Sequence, residues 1–408
     1  MGNGLCAYCG LDLTRILDLG YLPPVNVMPS SVVENEQSLR FPLSMHHCKN
    51  CQLTQIAEVL PSYLVFPESY PYLSGTTRIL RDNFAEQAAV TIPKIGLQSN
   101  HLVVDIGSND GTLLSNYIKF CRVLGVEPTN AADVALEKSI PTIKSFFDLN
   151  VSKKIVGEFG KAKLVTACNV FAHIPNLDAL MRNILNVLDE DGVFLSESHY
   201  LNDLVESLQF DTIYHEHLRY YDSNFLSKMF KEYGLEIFDI QRIPTHGGSI
   251  RVWAARKGKY PINNDVEKFI SEEQRSVNHG INGLQKFALQ VTNWRHEFRK
   301  LIAEIRLSGS NIAAIGAPSR ASTLISFAGL EHSDIISVGE ISNSHKIGRD
   351  MPGTKIPIID ETVLIENSPP EYLLILSWHI ADELVKKIKA RGYKGRFIIP
   401  LPKPLIIE

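Results

Sequence analysis

The stretch that decides the fold is His101-Leu-Val-Val-Asp105-Ile-Gly107-Ser-Asn109-Asp-Gly111. A short apolar run ends on an acid and turns through two glycines, which reads as a buried strand breaking into a loop ahead of a helix starting at Thr112. Upstream, Arg78-Ile-Leu-Arg-Asp-Asn-Phe-Ala-Glu-Gln-Ala-Ala-Val is spaced as an amphipathic helix that Pro93 ends. Downstream, Val123-Leu-Gly-Val-Glu127, Leu164-Val-Thr-Ala and Gly192-Val-Phe-Leu-Ser-Glu are further apolar runs at helix-length intervals. Alternating strands and helices of this kind build a doubly wound, mainly parallel sheet.

Further along, Ile281, Leu284, Phe287, Val291, Trp294, Phe298, Leu301 and Ile305 recur every three or four positions, so residues 261–307 read as one long amphipathic helix. Beyond it, Asn311-Ile-Ala-Ala-Ile-Gly, Ile335-Ile-Ser-Val, Tyr372-Leu-Leu-Ile-Leu and Phe397-Ile-Ile-Pro repeat the alternation. The fold class is therefore α/β, with two such units and no sequence repeat between them.

The N-terminal region differs. Cys6, Cys9, Cys48 and Cys51 form two Cys-x-x-Cys pairs, while Cys121 and Cys168 stand alone in apolar surroundings. Two such knuckles can surround one tetrahedral Zn²⁺ with sulfur and leave no position open for water, so the site would be structural. Neither pair opens a helix after a hydrophobic strand, which disfavours a redox motif. Two disulfides fit poorly with a cytoplasmic chain. The prolines and short apolar pieces between the pairs cannot make a core unaided, and metal would supply the missing stability. His46 and His47 precede Cys48 and read as exposed, since four cysteines complete the shell.

Length and charge bound the rest. The 408 residues, 44% of them hydrophobic, suffice for two or three domains at about 150 residues each. Forty-one basic against 45 acidic residues, without long single-sign blocks, give no footprint for nucleic acid or an anionic membrane. No transmembrane run or signal peptide is expected. Met1-Gly2 resembles the start of a myristoylation signal, but Cys6 stands where Ser or Thr is required. The expected location is the cytoplasm.

The loop after Asp105 lacks the glycine spacing of a dinucleotide site. Its acid and polar residues suit a ligand with a cationic amino-acid end, and Glu127, 20 residues after Gly107, could accept ribose hydroxyls. Together they resemble the class I S-adenosylmethionine site, with Asp105, Gly107, Asn109, Gly111, Glu127 and Asn169 as the cofactor set. In Tyr214-His215-Glu216-His217, four consecutive positions hold a tyrosine, two histidines and a carboxylate. Such a run makes a poor core and a good acid–base loop; a bland polar loop or an adventitious metal site are the alternatives.

The paired Cys motifs, Asp105 to Gly111, Asn169 to Pro175, Tyr214-His-Glu-His-Leu, Thr245-His246-Gly-Gly-Ser-Ile-Arg251 and Pro352-Gly-Thr-Lys-Ile-Pro together resemble the sugar C-3 methyltransferases, from residue 5 to about 402. The resemblance implies a zinc-binding module (1–75), a class I methyltransferase domain of Rossmann-like fold (76–257), and a long helix with a second Rossmann-like domain for the substrate nucleotide (258–408). It implies methyl transfer from S-adenosylmethionine to carbon 3 of a GDP- or dTDP-linked 4-keto-6-deoxy sugar, by a monomer. Tyr72, His173, Tyr214, Glu216 and His217 match the residues around the sugar, with His217 as base, Tyr72, His173 or Tyr214 on the enolate oxygen and Glu216 orienting its neighbours. His215, His246, Ser319, Arg320, Lys346 and Trp378 are the candidate substrate contacts. Gly316-Ala-Pro-Ser-Arg-Ala-Ser departs from the family's pattern, leaving the choice of nucleotide open. Methylation at oxygen or nitrogen, or a non-catalytic sensor of the two ligands, are the competing readings.

Overall fold

The computed structural model describes residues 4–29, 39–66 and 72–408. The Met1-Gly2 opening and the stretch just before Tyr72 lie outside them. Near the N-terminus, β1 (Thr14–Leu22), β2 (Phe41–His47) and β3 (Thr54–Ile56) form an antiparallel meander. The cysteine pairs sit at its end, Cys48 and Cys51 in the turn between β2 and β3.

The middle domain begins with the helix Arg78–Lys94 and continues through β4 (Leu102–Ile106), β5 (Arg122–Val126), β6 (Thr142–Ile143), β7 (Ala162–Cys168) and β8 (Leu188–His199). The two-residue β9 (Arg219–Tyr220) leaves this sheet and pairs with β3, completing the N-terminal sheet in the order β1-β2-β3-β9. Then β10 (Leu235–Ile243) and β11 (Ser249–Arg256) return, giving the order β10-β11-β8-β7-β4-β5-β6. Strands β4 to β8 run parallel, and β11 is antiparallel to both neighbours.

In the C-terminal domain, β12 (Ile312–Ile315), β13 (Val338–Glu340), β14 (Ile358–Asp360), β15 (Tyr372–Ile375), β16 (Arg396–Ile399) and β17 (Leu405–Ile407) are ordered β14-β13-β12-β15-β16-β17, parallel except for β17. In both parallel sheets the strand order reverses beside the first strand, between β4 and β7 and between β12 and β15. Ligands of such sheets bind outside the carboxyl ends of strands at this switch point.

Two expectations change. Thr112 does not open an α-helix: the Asp110 carboxylate accepts from both the Thr112 hydroxyl (2.6 Å) and its amide (3.3 Å), and only a short 3-10 turn follows at Leu114–Asn116. The 261–307 segment is two helices, Asn264–Arg275 and Gly280–Leu307. Gly280 at φ 67° breaks the run, and a side chain at Gly283 would strike the Asn278 carbonyl at 2.2 Å. Val266, Phe269 and Ile270 of the first helix pack on the middle domain, whereas Phe287, Trp294 and Phe298 of the second share a core with the C-terminal sheet. Packing thus changes hands at 276–279, between the two helices.

Among the described residues, the N-terminal module has no core of its own. Leu17, Leu19, Leu22 and Met45 are buried with the C-terminal domain, while Cys6, Cys48 and Cys51 are buried with the middle domain beside Phe225. His47 is buried and within 3.0 Å of the Thr54 hydroxyl, which corrects its reading as exposed. No helix among the described residues is long and apolar enough to cross a membrane.

Candidate active site

The carboxyl ends of both parallel sheets open into one cavity of about 1780 Å³. Pockets for a single small ligand hold roughly 300–1,000 Å³, so this one has room for two. Gly107, Asn109, Glu127 and Asn169 line the middle-domain end, Ser319, Arg320 and Lys346 the C-terminal end, and Tyr72, His173, Tyr214, Glu216, His217 and His246 the walls between.

At the middle-domain end, Glu127 Oε1 accepts from the Thr129 amide and hydroxyl (2.9 and 2.6 Å), and Oε2 from the Asn109 amide (3.0 Å). The Asn109 side chain turns the other way, accepting from the Ser74 amide and donating to the Tyr72 carbonyl, so it fixes the segment that carries Tyr72. Asp105 lies beneath the wall, hydrogen-bonded by Thr166 at 2.6 Å, and burial pushes its carboxyl up to about 7. The glycines do not leave open space for a ligand: a Cβ on Gly107 would meet Val170 at 2.3 Å, and one on Gly111 would meet Ile140 at 2.6 Å. They let neighbouring loops close, and Gly111 is off the cavity wall. Asn169, held at φ 56°, lines the cavity, and its side-chain oxygen is buried without a hydrogen-bond partner.

The walls carry a column of rings. His173 stacks between Phe66 and His217, with centroids 5.7 and 5.0 Å away; His199 lies 4.9 Å from His217 and 5.7 Å from His246. Burial lowers the pKa of all four imidazoles, to about 4 for His173 and His246 and well below 6.5 for His199 and His217, where neighbouring imidazoles add to the effect. His217 Nδ1 lies 2.8 Å from the Thr212 carbonyl. A carbonyl only accepts, so Nδ1 carries the proton and Nε2 keeps a free lone pair. The Tyr214 ring packs 4.0 Å from that imidazole.

Two predicted contacts point elsewhere. His215 lies 3.2 Å from the Pro42 carbonyl, with its ring edge against Phe41, and is absent from the cavity wall. Trp378 donates to Asp211 (2.8 Å) and lies beneath the Arg320 guanidinium. Arg320 itself reaches the wall, but its charge is paired with the fully buried Asp211 through two bonds of 2.7 and 2.8 Å. Lys346 donates to the Ala317 carbonyl at 2.7 Å, and burial lowers its pKa. Wall residues that escaped the sequence reading include His199 at the end of β8, and Phe146, Phe147 and Asp148 after β6. An aromatic pair just past the third strand of the sheet, β6, was the available signal for the latter group.

The four cysteine sulfurs lie within 4.8 Å of one another, with Cys6–Cys51 and Cys9–Cys48 each at 3.4 Å. A tetrahedral ion with Zn–S bonds of about 2.3 Å requires sulfur edges of about 3.8 Å, whereas a disulfide requires about 2.05 Å. The donor set fits zinc. The partnerless Asn169 oxygen and the Glu127 carboxylate likewise fit a ligand with an ammonium at one end and ribose hydroxyls at the other.

A parallel sheet with one antiparallel strand, an acid closing each of its first two strand–loop units and a four-cysteine knuckle define a zinc-containing, S-adenosylmethionine-dependent methyltransferase. Family models agree along the chain: "Putative zinc binding domain" over residues 6–66, "Methyltransferase domain" over 73–240 and "C-methyltransferase C-terminal domain" over 244–402. C-methyltransferase NovU of Streptomyces niveus is 30% identical over 99% of this chain and 96% of its own length. The chain belongs to the C-methyltransferase family. Similar solved structures include an S-adenosylmethionine-dependent methyltransferase from Clostridium acetobutylicum (15% identity, 44% of this chain, 92% of that one, TM-score 0.36) and magnesium protoporphyrin IX methyltransferase from Synechocystis (15%, 43%, 79%, 0.33).

Proposed function

We propose that the enzyme methylates carbon 3 of a nucleotide-linked 4-keto-6-deoxyhexose. The observation that carries this is the neutral His217, its Nδ1 tied to a carbonyl and its ring in the wall of a cavity that joins two strand-end sites. S-adenosylmethionine, when bound, supplies an electrophilic methyl on a sulfonium. Asn169 and Glu127 would hold it, with Phe146 and Phe147 as apolar wall and Asp105 supporting the strand end from beneath.

The ketone at carbon 4 acidifies the carbon-3 proton, and His217 Nε2 takes it. Tyr214 or Tyr72 donates to the enolate oxygen, in surroundings that favour a protonated phenol. Because the column is buried, His217 waits as the free base. The nucleotide would lie at the C-terminal end, and Lys346, whose partner is a neutral carbonyl, suits its diphosphate better than Arg320, whose charge is already matched.

The test is incubation with S-adenosylmethionine and a panel of GDP- and dTDP-linked 4-keto-6-deoxy sugars. A product heavier by one CH₂, with the new methyl on carbon 3 by NMR, is expected. Solvent deuterium should enter carbon 3 without cofactor and stop in His217→Asn. A methyl found on oxygen or nitrogen would overturn the reading.

A further inference from the structure

We infer that Asn26, which belongs to the N-terminal module, is a positioning residue for methyl transfer: it aligns the Glu216 carboxylate and makes that alignment depend on the docked C-terminal domain. The inference rests on reading the cavity as the sugar site.

Asn26 lies in the segment that leaves β1 and lines the cavity. Its Nδ2 donates to Glu216 Oε1 at 2.6 Å, and its Oδ1 accepts from the Ser319 hydroxyl at 2.8 Å. Glu216 stands beside the proposed base, and Ser319 is the first residue of the helix Ser319–Ala328 at the proposed nucleotide end. One amide therefore joins all three modules. Its orientation is fixed by chemistry, because a carboxylate only accepts and the hydroxyl proton needs an acceptor; a flipped amide would set oxygen against oxygen.

The backbone under Asn26 is equally constrained. The Val27 amide closes a turn on the Pro24 carbonyl (3.3 Å), the Met28 carbonyl accepts from Arg349 (3.2 Å), and the Pro29 carbonyl accepts from the Asp350 amide (3.0 Å). Gly353 packs so closely on Pro23 that a Cβ would meet it at 2.8 Å. The segment is thus pinned to the C-terminal loop 349–353, and Pro352-Gly-Thr finds a use in holding it. Nothing in the 20–30 region stood out in the sequence, since a lone Asn between prolines reads as a turn.

Three variants test this: Asn26→Ala, Asn26→Asp and Ser319→Ala. Asn26→Ala should lower kcat by about ten- to a hundredfold, the range for a lost hydrogen bond to a charged group, while KM for S-adenosylmethionine and calorimetric affinity for S-adenosylhomocysteine stay at wild-type values. Asn26→Asp sets two carboxylates together and should be nearly inactive at neutral pH. It should recover as the pH falls and the pair takes up a proton that restores the donor, a response that a merely structural role would not produce. Ser319→Ala, with Asn26 still on Glu216, should lose less in the same direction. An active wild type with Asn26→Ala within twofold of it, or Asn26→Asp with a wild-type pH profile, refutes the role alone. A wild type that methylates no panel member refutes the sugar reading, and this role with it.

Discussion

Arg320 offers a decisive perturbation, because two roles for it predict opposite results. A cation held ready for a diphosphate can be removed with little effect on folding and a large effect on substrate KM. A cation paired inside the protein behaves otherwise. Arg320 is 7% exposed and Asp211 fully buried, with two hydrogen bonds of 2.7 and 2.8 Å between them, and Trp378 donates to the same carboxylate. Replacing Arg320 by Met keeps the aliphatic stem and strands the Asp211 charge, leaving only neutral donors. Breaking one side of such a pair costs about 3–5 kcal/mol. At about 2–4 °C per kcal/mol for a domain of this size, the melting temperature should fall by roughly 10 °C, measured with zinc and protein concentration fixed. In Asp211→Asn/Arg320→Met both charges are gone, and most of the loss should return. A single variant that melts with the wild type while KM for the nucleotide sugar rises tenfold or more would refute this reasoning and restore Arg320 to the diphosphate.

Other perturbations separate the remaining parts. Lys346→Met should raise KM for the nucleotide sugar by about ten- to a hundredfold without moving the melting temperature, as read by steady-state kinetics beside calorimetry. Gly107→Ala must place a Cβ 2.3 Å from Val170 at φ 70°, so the loop should shift and calorimetric affinity for S-adenosylhomocysteine fall at least tenfold; unchanged affinity would show that the loop is not part of the cofactor site. Metal analysis should find one zinc for the four cysteines, and Cys48→Ser should lower both zinc content and the melting temperature. The buried histidines set a pH dependence. The unfolded chain binds protons near pH 6.5, the folded one not until about 4 at His173 and His246, so urea stability should fall as pH drops across that window. Asp105, pushed up to about 7, works in the opposite direction, and His246→Asn should flatten the acid loss.

What could be read from the sequence is what is local. Strand periodicity located β4, β5, β7 and β12, and the cysteine spacing located the cluster. The Tyr214 to His217 run announced its own chemistry, but not which way each side chain faces: the His217 amide closes a turn on the Tyr214 carbonyl, and that turn leaves Tyr214, Glu216 and His217 on the cavity while His215 points toward Pro42. What stayed hidden is of two kinds. Arg320 looked available because its partner is 109 positions away; the helix at Thr112 is lost to a local competitor, the Asp110 carboxylate that captures the Thr112 amide two residues on. His199 was passed over as the end of a strand, since one histidine acquires meaning only from the three that gather around it.

The zinc module belongs to this enzyme for a reason that follows from those pairings. Cys48 and Cys51 close the turn between β2 and β3, with the Cys48 amide on the Leu53 carbonyl, and β3 then pairs with β9 through Thr54–Tyr220 and Gln55–Arg219. The Ile56 amide donates to the Leu218 carbonyl, and the Leu218 amide to the Ala172 carbonyl, which sets His217 beside His173. A two-residue strand has little stability of its own, so the loop bearing the proposed base takes its position from a hairpin whose turn is tied by metal. Asn26 approaches the same loop from the other end of the module. The module with no core of its own thus reaches the site from both sides, and its metal contributes to the geometry of the proposed proton transfer while remaining outside the chemistry.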